Sequence, residues 1–176
     1  MITYKVLTEN DINLSMFAYF DRTQNVTECW RKVNGEWLIA EVPFIDNWSE
    51  EEYRKGVRYL KTVVASGGYV VAAFRDGCLK GFASVEPAIF GTKAKHMNLS
   101  NLHVSRDMRR QGIGSELFRL AKQWAKDRQA EKLYISAHSS VESQAFYRAL
   151  GCVEANEYNQ QLAEKEPCDC QMECAL

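Results

Sequence analysis

Residues 102–114 read LHVSRDMRRQGIG and join an apolar, strand-like run to the start of a long helical pattern. The first N–H groups of a helix have no partner within it, and together with the helix dipole they favour an anion at that end. Gly112 and Gly114 have no Cβ, so the backbone can approach such an anion closely. Arg109 and Arg110 add positive charge beside them. The loop therefore predicts a local anion site, with a phosphate group as its natural occupant.

The chain as a whole has almost no net charge. Its 176 residues carry 22 Lys and Arg against 23 Asp and Glu, which gives a formal net charge of −1. This balance provides no general field for nucleic acid or for an anionic membrane, so neither is expected as a partner. A content of 46% hydrophobic and 26% charged residues is typical of a globular protein, and the length suits one core. We expect a single domain over residues 1–176.

Two common nucleotide-binding motifs do not fit the loop. A P-loop requires G-x-x-x-x-G-K-[ST], and no Lys-Ser or Lys-Thr follows the glycines here. The dinucleotide fingerprint G-x-G-x-x-G needs a third glycine where this chain has Leu117. Both folds are therefore disfavoured.

The second half of the chain alternates between helical and extended patterns. Apolar residues recur at helical spacing from Ile113 to Ala125, with Arg128 where the stripe ends, and predict a helix of about four turns. Residues 139–142 (SSVE) read as a capping box that opens a second helix ending at Gly151. Strands are predicted at 132–137, 152–158 and 168–175. Such alternation favours a mixed α/β sheet covered on both faces.

The first half is predicted to contain a hairpin and one capped helix. Asn34-Gly35, between two β-leaning runs in residues 27–42, is a strong hairpin signal. Ser49 followed by Glu52 is a capping box, and Gly67-Gly68 ends the helix behind it. Further strands are predicted at 2–7, 69–74, 79–85 and 97–104.

The anion loop resembles the acyl-CoA signature of the GNAT N-acetyltransferase superfamily, L-x-V-x-P-x-x-[RQ]-x-x-G-x-[GA]. It matches at Leu102, Val104, Arg109, Gly112 and Gly114 and departs at position 106, where arginine replaces the usual proline. Residues 146–152 (FYRALGC) resemble the family's second signature, N-x-x-A-x-x-F-Y-x-x-x-G-[FY]. In this second motif Ser140 takes the asparagine position, Ser143 the alanine position and Cys152 that of the final aromatic residue.

The resemblance implies an α/β fold with a mixed, mostly antiparallel central sheet and helices on both faces, here with an inserted N-terminal hairpin. It also implies acetyl-CoA as cosubstrate and no metal. The strand at 102–104 would bind the pantetheine arm through its backbone, and the following loop would wrap the pyrophosphate. The residues expected to bind acetyl-CoA are Leu102, His103, Val104, Arg109, Arg110, Gln111, Gly112, Ile113, Gly114 and Ser140.

Tyr147 is the expected catalytic residue, because the family's tyrosine at this position protonates the departing CoA thiolate. The implied reaction transfers an acetyl group to a primary amine by direct attack in a ternary complex, with a backbone N–H near Val104 polarising the carbonyl. Glu86 and His103 are candidate bases, although each is more readily explained as an ordinary surface or packing residue. The acceptor would be a small-molecule or peptide amine, and a monomer and a homodimer both stay open. The alternative function is a non-catalytic acyl-CoA-binding sensor or interaction module.

The N-terminus has no signal-peptide pattern, and no run approaches the ~20 apolar residues of a membrane span, so a cytoplasmic location is expected. Cysteines at 168, 170 and 174 do not have a zinc spacing and are predicted to share one buried strand face with Met172. Trp30, Trp37 and Trp48 cluster near the hairpin. They are expected to anchor it to the sheet, and a wall of the acceptor site is the alternative.

Overall fold

The computed structural model describes residues 1–176 as nine strands and four α-helices. The strands are β1 (Ile2–Val6), β2 (Gln24–Val33), β3 (Glu36–Asp46), β4 (Tyr69–Arg75), β5 (Cys78–Phe90), β6 (His96–Val104), β7 (Lys132–Ala137), β8 (Val153–Glu154) and β9 (Cys170–Ala175). The helices are α1 (Glu50–Ala65), α2 (Ile113–Asp127), α3 (Val141–Ala149) and α4 (Gln160–Lys165). None of these helices is long and apolar enough to cross a membrane.

Seven strands form one sheet in the order β1-β4-β5-β6-β7-β9-β8, and β2 and β3 form a separate ribbon. All neighbours in the sheet are antiparallel except β6 and β7, which run parallel. Their pairing is limited to His96–Asn98 against Lys132–Tyr134, and beyond these residues the two strands separate. We call this opening the fork. The mixed, mostly antiparallel sheet expected from the sequence is confirmed.

Helices pack on both faces of the sheet, so alternate residues of each strand enter different cores. The larger core contains α2 and the inward side of α3, together with Leu133, Ile135 and Ala137 of β7. The smaller core contains Leu60 and Val63 of α1 and lies against β4 and β5. We refer to these two sides as the α2 face and the α1 face.

The β2–β3 ribbon turns at Asn34 and Gly35, whose positive φ angles of 51° and 85° match the hairpin expected there. The ribbon is attached beyond the end of β7, because the Trp30 N–H donates to the Ser139 carbonyl at 2.8 Å and Cys29 bridges to Ser140. Trp30 and Trp37 pack against the larger core. The anchoring role expected for the three tryptophans agrees with the packing of these two, whereas Trp48 packs against the smaller core.

Two sequence-based expectations for the C-terminal third are wrong in detail. Residues 152–158 form only the two-residue strand β8, because the Cys152 N–H bonds to the Tyr147 carbonyl at the end of α3. The last strand begins at Cys170, which leaves Cys168 exposed in the preceding turn. Cys170, Met172 and Cys174 do share the buried α2 face.

The N-terminal cap of α3 also differs from the expected capping box. Ser140, and not Ser139, is the cap, and its hydroxyl accepts from the Ser143 N–H, so Glu142 takes no part. Helix α4 was not anticipated, since its sequence QQLAEK is polar and short. It begins at Asn159, whose side chain accepts from the Leu162 N–H.

Candidate active site

The fork between β6 and β7 leaves backbone groups without a strand partner. A bulge helps to open it, because Ser84 pairs with Asn101 and Val85 with Leu99, so Ser100 has no opposite residue. Ladder bonds alternate along an antiparallel strand, and the Ser105 N–H donates to Lys80 on β5 at 2.9 Å. The N–H groups of Leu102 and Val104 therefore point away from β5 and into the fork.

The loop after β6 presents a series of free donors. The backbone N–H groups of residues 110–115 donate to no group of the protein. Arg110 and Gly112 adopt left-handed φ angles of 61° and 82°, and this alternation curves successive N–H groups around a concave site. A Cβ added at Gly112 would meet nothing within 4 Å, so the concavity is open. Six free donors at a helix N-terminus form a cradle for a phosphate or pyrophosphate group.

Gly114 has a different structural reason to be glycine. A Cβ at this position would lie 3.1 Å from the ring of Phe146. Its absence lets α2 and α3 approach each other at the mouth of the fork.

Arg109 holds the loop in place. Its guanidinium donates to the Val104 carbonyl at 3.1 Å and to the Arg22 carbonyl at 3.0 Å. Arg110 and Arg106 are exposed beside the cradle and are the cations available to an anion. Arg106 stands where the related signature has proline, so the departure adds charge to the site.

A cavity of about 630 Å³ joins the fork, the cradle and α3. The expected site residues that line it are Leu102, His103, Val104, Arg109, Arg110, Gly112, Gly114 and Tyr147. Gln111, Ile113 and Ser140 do not line it. Ile113 is buried in the core, the Gln111 side chain is exposed beside the loop, and the Ser140 hydroxyl caps α3 and accepts from Gln24 at 3.1 Å.

Several lining residues were not expected from the sequence. They are Arg22, Gln24, Asn25, Arg106, Met108, Ser115, Glu142, Ser143 and Phe146. The segment at 22–25 has no local motif and reaches the cavity only because the ribbon that follows it is attached at Ser139. Arg106 could have been found from its position inside the signature.

Tyr147 lines the cavity from the α2 face. The residue is 9% exposed, and its ring packs edge-on against Phe118 and Phe146 with centroid distances of 6.3 and 5.2 Å. The hydroxyl makes no hydrogen bond to another protein group. Burial, with smaller contributions from Cys152 and Asp169, raises the pKa of Tyr147, so the phenol keeps its proton at neutral pH. The arrangement suits a proton donor.

Polar side chains lie on the α1 face of β6 and β7, next to the residues that line the cavity. Glu86 accepts hydrogen bonds from the Tyr59 hydroxyl and from Asn98 Nδ2 at 3.0 Å. Asp169 accepts from Ser136 Oγ at 3.1 Å. Burial, reinforced by the nearby carboxylates of Glu166 and Asp46, raises the pKa of Asp169 to about 6 despite the hydrogen bond from Ser136.

Arg22 and Asp46 form a bidentate ion pair at the same side of the cavity, with N–O distances of 2.8 and 3.1 Å. The Arg22 guanidinium also lies 4.7 Å from the centre of the Trp48 ring. His103 is enclosed by Trp48 and Phe82, and burial together with the charge of Arg22 lowers its pKa to about 3. His103 is therefore neutral at every physiological pH, and its ring makes no hydrogen bond to another protein group.

The comparisons with known proteins agree with this geometry. The model of the acetyltransferase (GNAT) family matches residues 30–152, more than half of the sequence. The chain belongs to the acetyltransferase (GNAT) family. The resemblance inferred from the two signatures is thereby confirmed. No curated protein sequence gives a significant match.

Solved structures with the same fold cover nearly the whole chain. Nourseothricin acetyltransferase superposes with a TM-score of 0.72 at 16% identity, over 99% of this chain and 98% of that one. A Bacillus anthracis protein assigned as a streptothricin acetyltransferase, in complex with acetyl coenzyme A, gives a TM-score of 0.72 at 17% identity, over 100% and 99%. The PaiA N-acetyltransferase of Thermoplasma acidophilum, in complex with coenzyme A, gives 0.63 at 17% identity, over 100% and 99%.

Proposed function

We propose that this protein transfers an acetyl group from acetyl-CoA to a primary amine. The observation that carries the proposal is the cradle of six free N–H groups opening into the same cavity as the Tyr147 hydroxyl. The complexes of two structural neighbours with acetyl coenzyme A and coenzyme A support the choice of cosubstrate. Acetyl-CoA supplies an activated thioester, whose carbonyl carbon accepts an amine nucleophile.

Some groups of the chain bind acetyl-CoA, and others take part in the reaction. The N–H groups of residues 110–115 hold the pyrophosphate, with Arg106 and Arg110 adding charge. The N–H groups of Leu102 and Val104 face the fork, where they hold the pantetheine arm and polarise the thioester carbonyl. Arg109 donates a hydrogen bond to the Val104 carbonyl, so this carbonyl does not compete with the thioester carbonyl for the N–H donors of the fork.

Tyr147 gives a proton to the departing thiolate. The raised pKa keeps the phenol protonated at neutral pH. Its hydroxyl makes no hydrogen bond to the protein that proton transfer would have to break. The phenol is a weaker acid than a thiol, so the proton moves in concert with cleavage of the C–S bond.

A panel of primary amines incubated with acetyl-CoA, with released thiol as the readout, tests the proposal. The amines are a diamine, an α-amino acid, an aminoglycoside and a lysine peptide. We expect thiol release that depends on at least one amine and on enzyme concentration. Tight coenzyme A binding without turnover on any of them would favour the non-catalytic binding module instead.

A further inference from the structure

Asp169 lies on the α1 face of the sheet, immediately before β9, which pairs with β7 on the edge away from β6. Ser136, which donates to it, alternates with Ile135 and Ala137 and so points away from the α2 core. Ser136 is two residues beyond Tyr134, the last residue of β7 that pairs with β6. The carboxylate is therefore held beside β7, level with the point where β6 and β7 part. The Asp169 N–H donates to the Glu166 carbonyl at 3.0 Å and fixes the turn that carries it.

No cation is paired with this carboxylate, although the side chain is only partly exposed. The charged groups that face it are Glu166 after α4 and Asp46 at the end of β3, and both are acidic. The cations of the region have other partners. Arg22 is bound to Asp46 by two hydrogen bonds, and Arg31 is bound to Ser139 Oγ at 2.7 Å and to the Trp30 carbonyl.

The remaining titratable neighbours do not neutralise Asp169 either. His138 on the same side of β7 has its Nε2 3.8 Å from Asp46, and burial lowers its pKa, so it is neutral. Cys170, the next residue, has its pKa raised by burial and by Asp169 itself. Tyr147 approaches from the α2 face, close enough for the charge of Asp169 to affect its hydroxyl.

We propose that Asp169 is the catalytic base that takes the first proton from the substrate ammonium. The proposal rests on the proposed function and adds to it the acceptor-side group. A second observation concerns Tyr147, which lines the cavity, is 9% exposed as a residue, has a hydroxyl without a protein partner, and is close enough for the charge of Asp169 to affect it. A base on one face of the fork and an acid on the other is the arrangement that acyl transfer to an amine requires.

The ammonium gives one proton to the Asp169 carboxylate, which frees the nitrogen lone pair. The N–C bond forms, the C–S bond breaks, and the sulfur takes the Tyr147 proton. The nitrogen gives up its second proton, which restores the phenol through solvent, and Asp169 returns its proton to water.

Glu86 and His103, the candidates suggested by the sequence, fit this role less well. Both oxygens of Glu86 accept hydrogen bonds from Tyr59 and Asn98. His103 is enclosed by aromatic rings, and a pKa of about 3 makes it a much weaker base than Asp169. Glu86 is better suited to attract a cationic substrate to the α1 face.

The charges also define the acceptor class. Asp169 is hydrogen-bonded to Ser136 on β7, and Glu86 is hydrogen-bonded to Asn98 on β6. Asn98 pairs with Tyr134, and Ser136 is two residues further along β7, so Asn98 and Ser136 are roughly 8 Å apart. A substrate carboxylate beside the amine would meet these acidic groups with no free cation to bind it. We expect alkylamines that arrive as cations, such as diamines, to be accepted over α-amino acids.

Asp169→Asn tests the role of the base, with Glu166→Gln as the matched control of a neighbouring carboxylate. Steady-state kinetics use acetyl-CoA and 1,5-diaminopentane, with lysine as the comparison acceptor. For Asp169→Asn we expect a fall in kcat of about 10²–10⁴, an unchanged affinity for coenzyme A, and loss of the acidic limb of the kcat/KM profile near pH 6. Glu166→Gln should keep kcat and move that limb to lower pH.

Ser136→Ala gives an independent check, since it removes the hydrogen bond that stabilises the carboxylate and should move the acidic limb to higher pH. Coenzyme A binding by each variant shows that it is folded. If the parent enzyme turns over and Asp169→Asn retains both its rate and its acidic limb, Asp169 is not the base. If the parent releases no thiol with any amine, it is the proposed function that fails.

Discussion

The two sides of the fork are built in different ways. The proposed cofactor side consists mainly of backbone groups from one continuous stretch, the N–H groups of Leu102, Val104 and residues 110–115. The proposed acceptor side consists of side chains from distant parts of the sequence, among them Asp46, Glu86, Ser136 and Asp169. A site made from a continuous backbone leaves a motif in the sequence, whereas a site assembled by topology does not. Changes on the two sides should therefore have separable effects.

Gly112→Asp should have the largest effect and should act on the cofactor side. The residue has a φ of 82°, and the substitution places a carboxylate at the concave site formed by six free N–H groups. We expect the dissociation constant for coenzyme A, measured by calorimetry, to rise well over tenfold, from both backbone strain and charge repulsion.

Gly35→Asp is the control for Gly112→Asp. Gly35 has a φ of 85°, with open space at its Cβ, in the β2–β3 turn far from the cradle along the chain. It carries the same strain and the same charge, so it should destabilise the ribbon and leave coenzyme A affinity nearly unchanged. Equal losses of affinity in both variants would show that strain alone, and not the anion site, is responsible.

Tyr147→Phe should have the next largest effect, on turnover and not on binding. The ring keeps its contacts with Phe118 and Phe146, and only the free hydroxyl is removed. We expect kcat to fall by about 10², the low end for a general acid, with KM for acetyl-CoA little changed. Tyr69 is a buried tyrosine that stacks on Trp124 outside the cavity. Tyr69→Phe is therefore the control and should leave kcat unaltered. A Tyr147→Phe enzyme as fast as the parent from pH 6 to 9 would assign the acid elsewhere.

Most of the cofactor side could be predicted because local rules govern it. Glycines before a helical stripe, and a strand before them, are visible without any tertiary information. Two residues of the motifs are exceptions. Ser140 is a candidate by motif position, but its hydroxyl is used to cap α3, and Gly114 is small because Phe146 packs against it. Only the three-dimensional packing distinguishes a ligand-facing residue from a structural one.

The acceptor side could not be predicted, for a physical reason. Asp169 sits in a turn of ordinary composition, and its significance depends on Ser136 and on the absence of a cation, which are properties of the fold. The polar helix α4 and the truncated strand β8 were missed because short elements are stabilised by tertiary contacts rather than by pattern. The ribbon is longer than its turn signal indicated, since β2 and β3 continue to Gln24 and Asp46.

Asp46→Asn should have a moderate effect, on stability. The side chains of Arg22 and Asp46 are 14% and 21% exposed, so the substitution leaves a largely buried guanidinium without its counter-ion. We expect a loss of about 2 kcal/mol at pH 7, less than for a fully buried pair, seen as a lower Tm. Burial alone would raise the pKa of Asp46, but Arg22 outweighs it and holds that pKa below its ordinary value.

The pH dependence follows from the direction of that shift. A lowered pKa means that the stabilisation is present above the unfolded value near 3.9 and is lost as pH falls through the folded value. The difference in Tm between the parent and Asp46→Asn should therefore shrink below about pH 4. A difference that stays constant down to pH 3 would show that the hydrogen-bonding geometry, and not the charge, matters.

Asp169→Asn should have the smallest effect on stability, and in the opposite direction. The pKa of Asp169 is about 6 in the folded chain against about 3.9 in the unfolded one, so the folded state favours the protonated form. The ionised carboxylate therefore costs stability above pH 6, and that cost disappears below about pH 4, where both states are protonated. Asparagine resembles the neutral acid and can still accept from Ser136. After allowance for partial solvent exposure, we expect the variant to gain about 1–2 kcal/mol at pH 8 and nothing at pH 4, measured by urea unfolding at both values. A carboxylate kept only for the fold would show a loss at pH 8, whereas a gain in stability with a loss of turnover is the pattern of a residue retained for its chemistry.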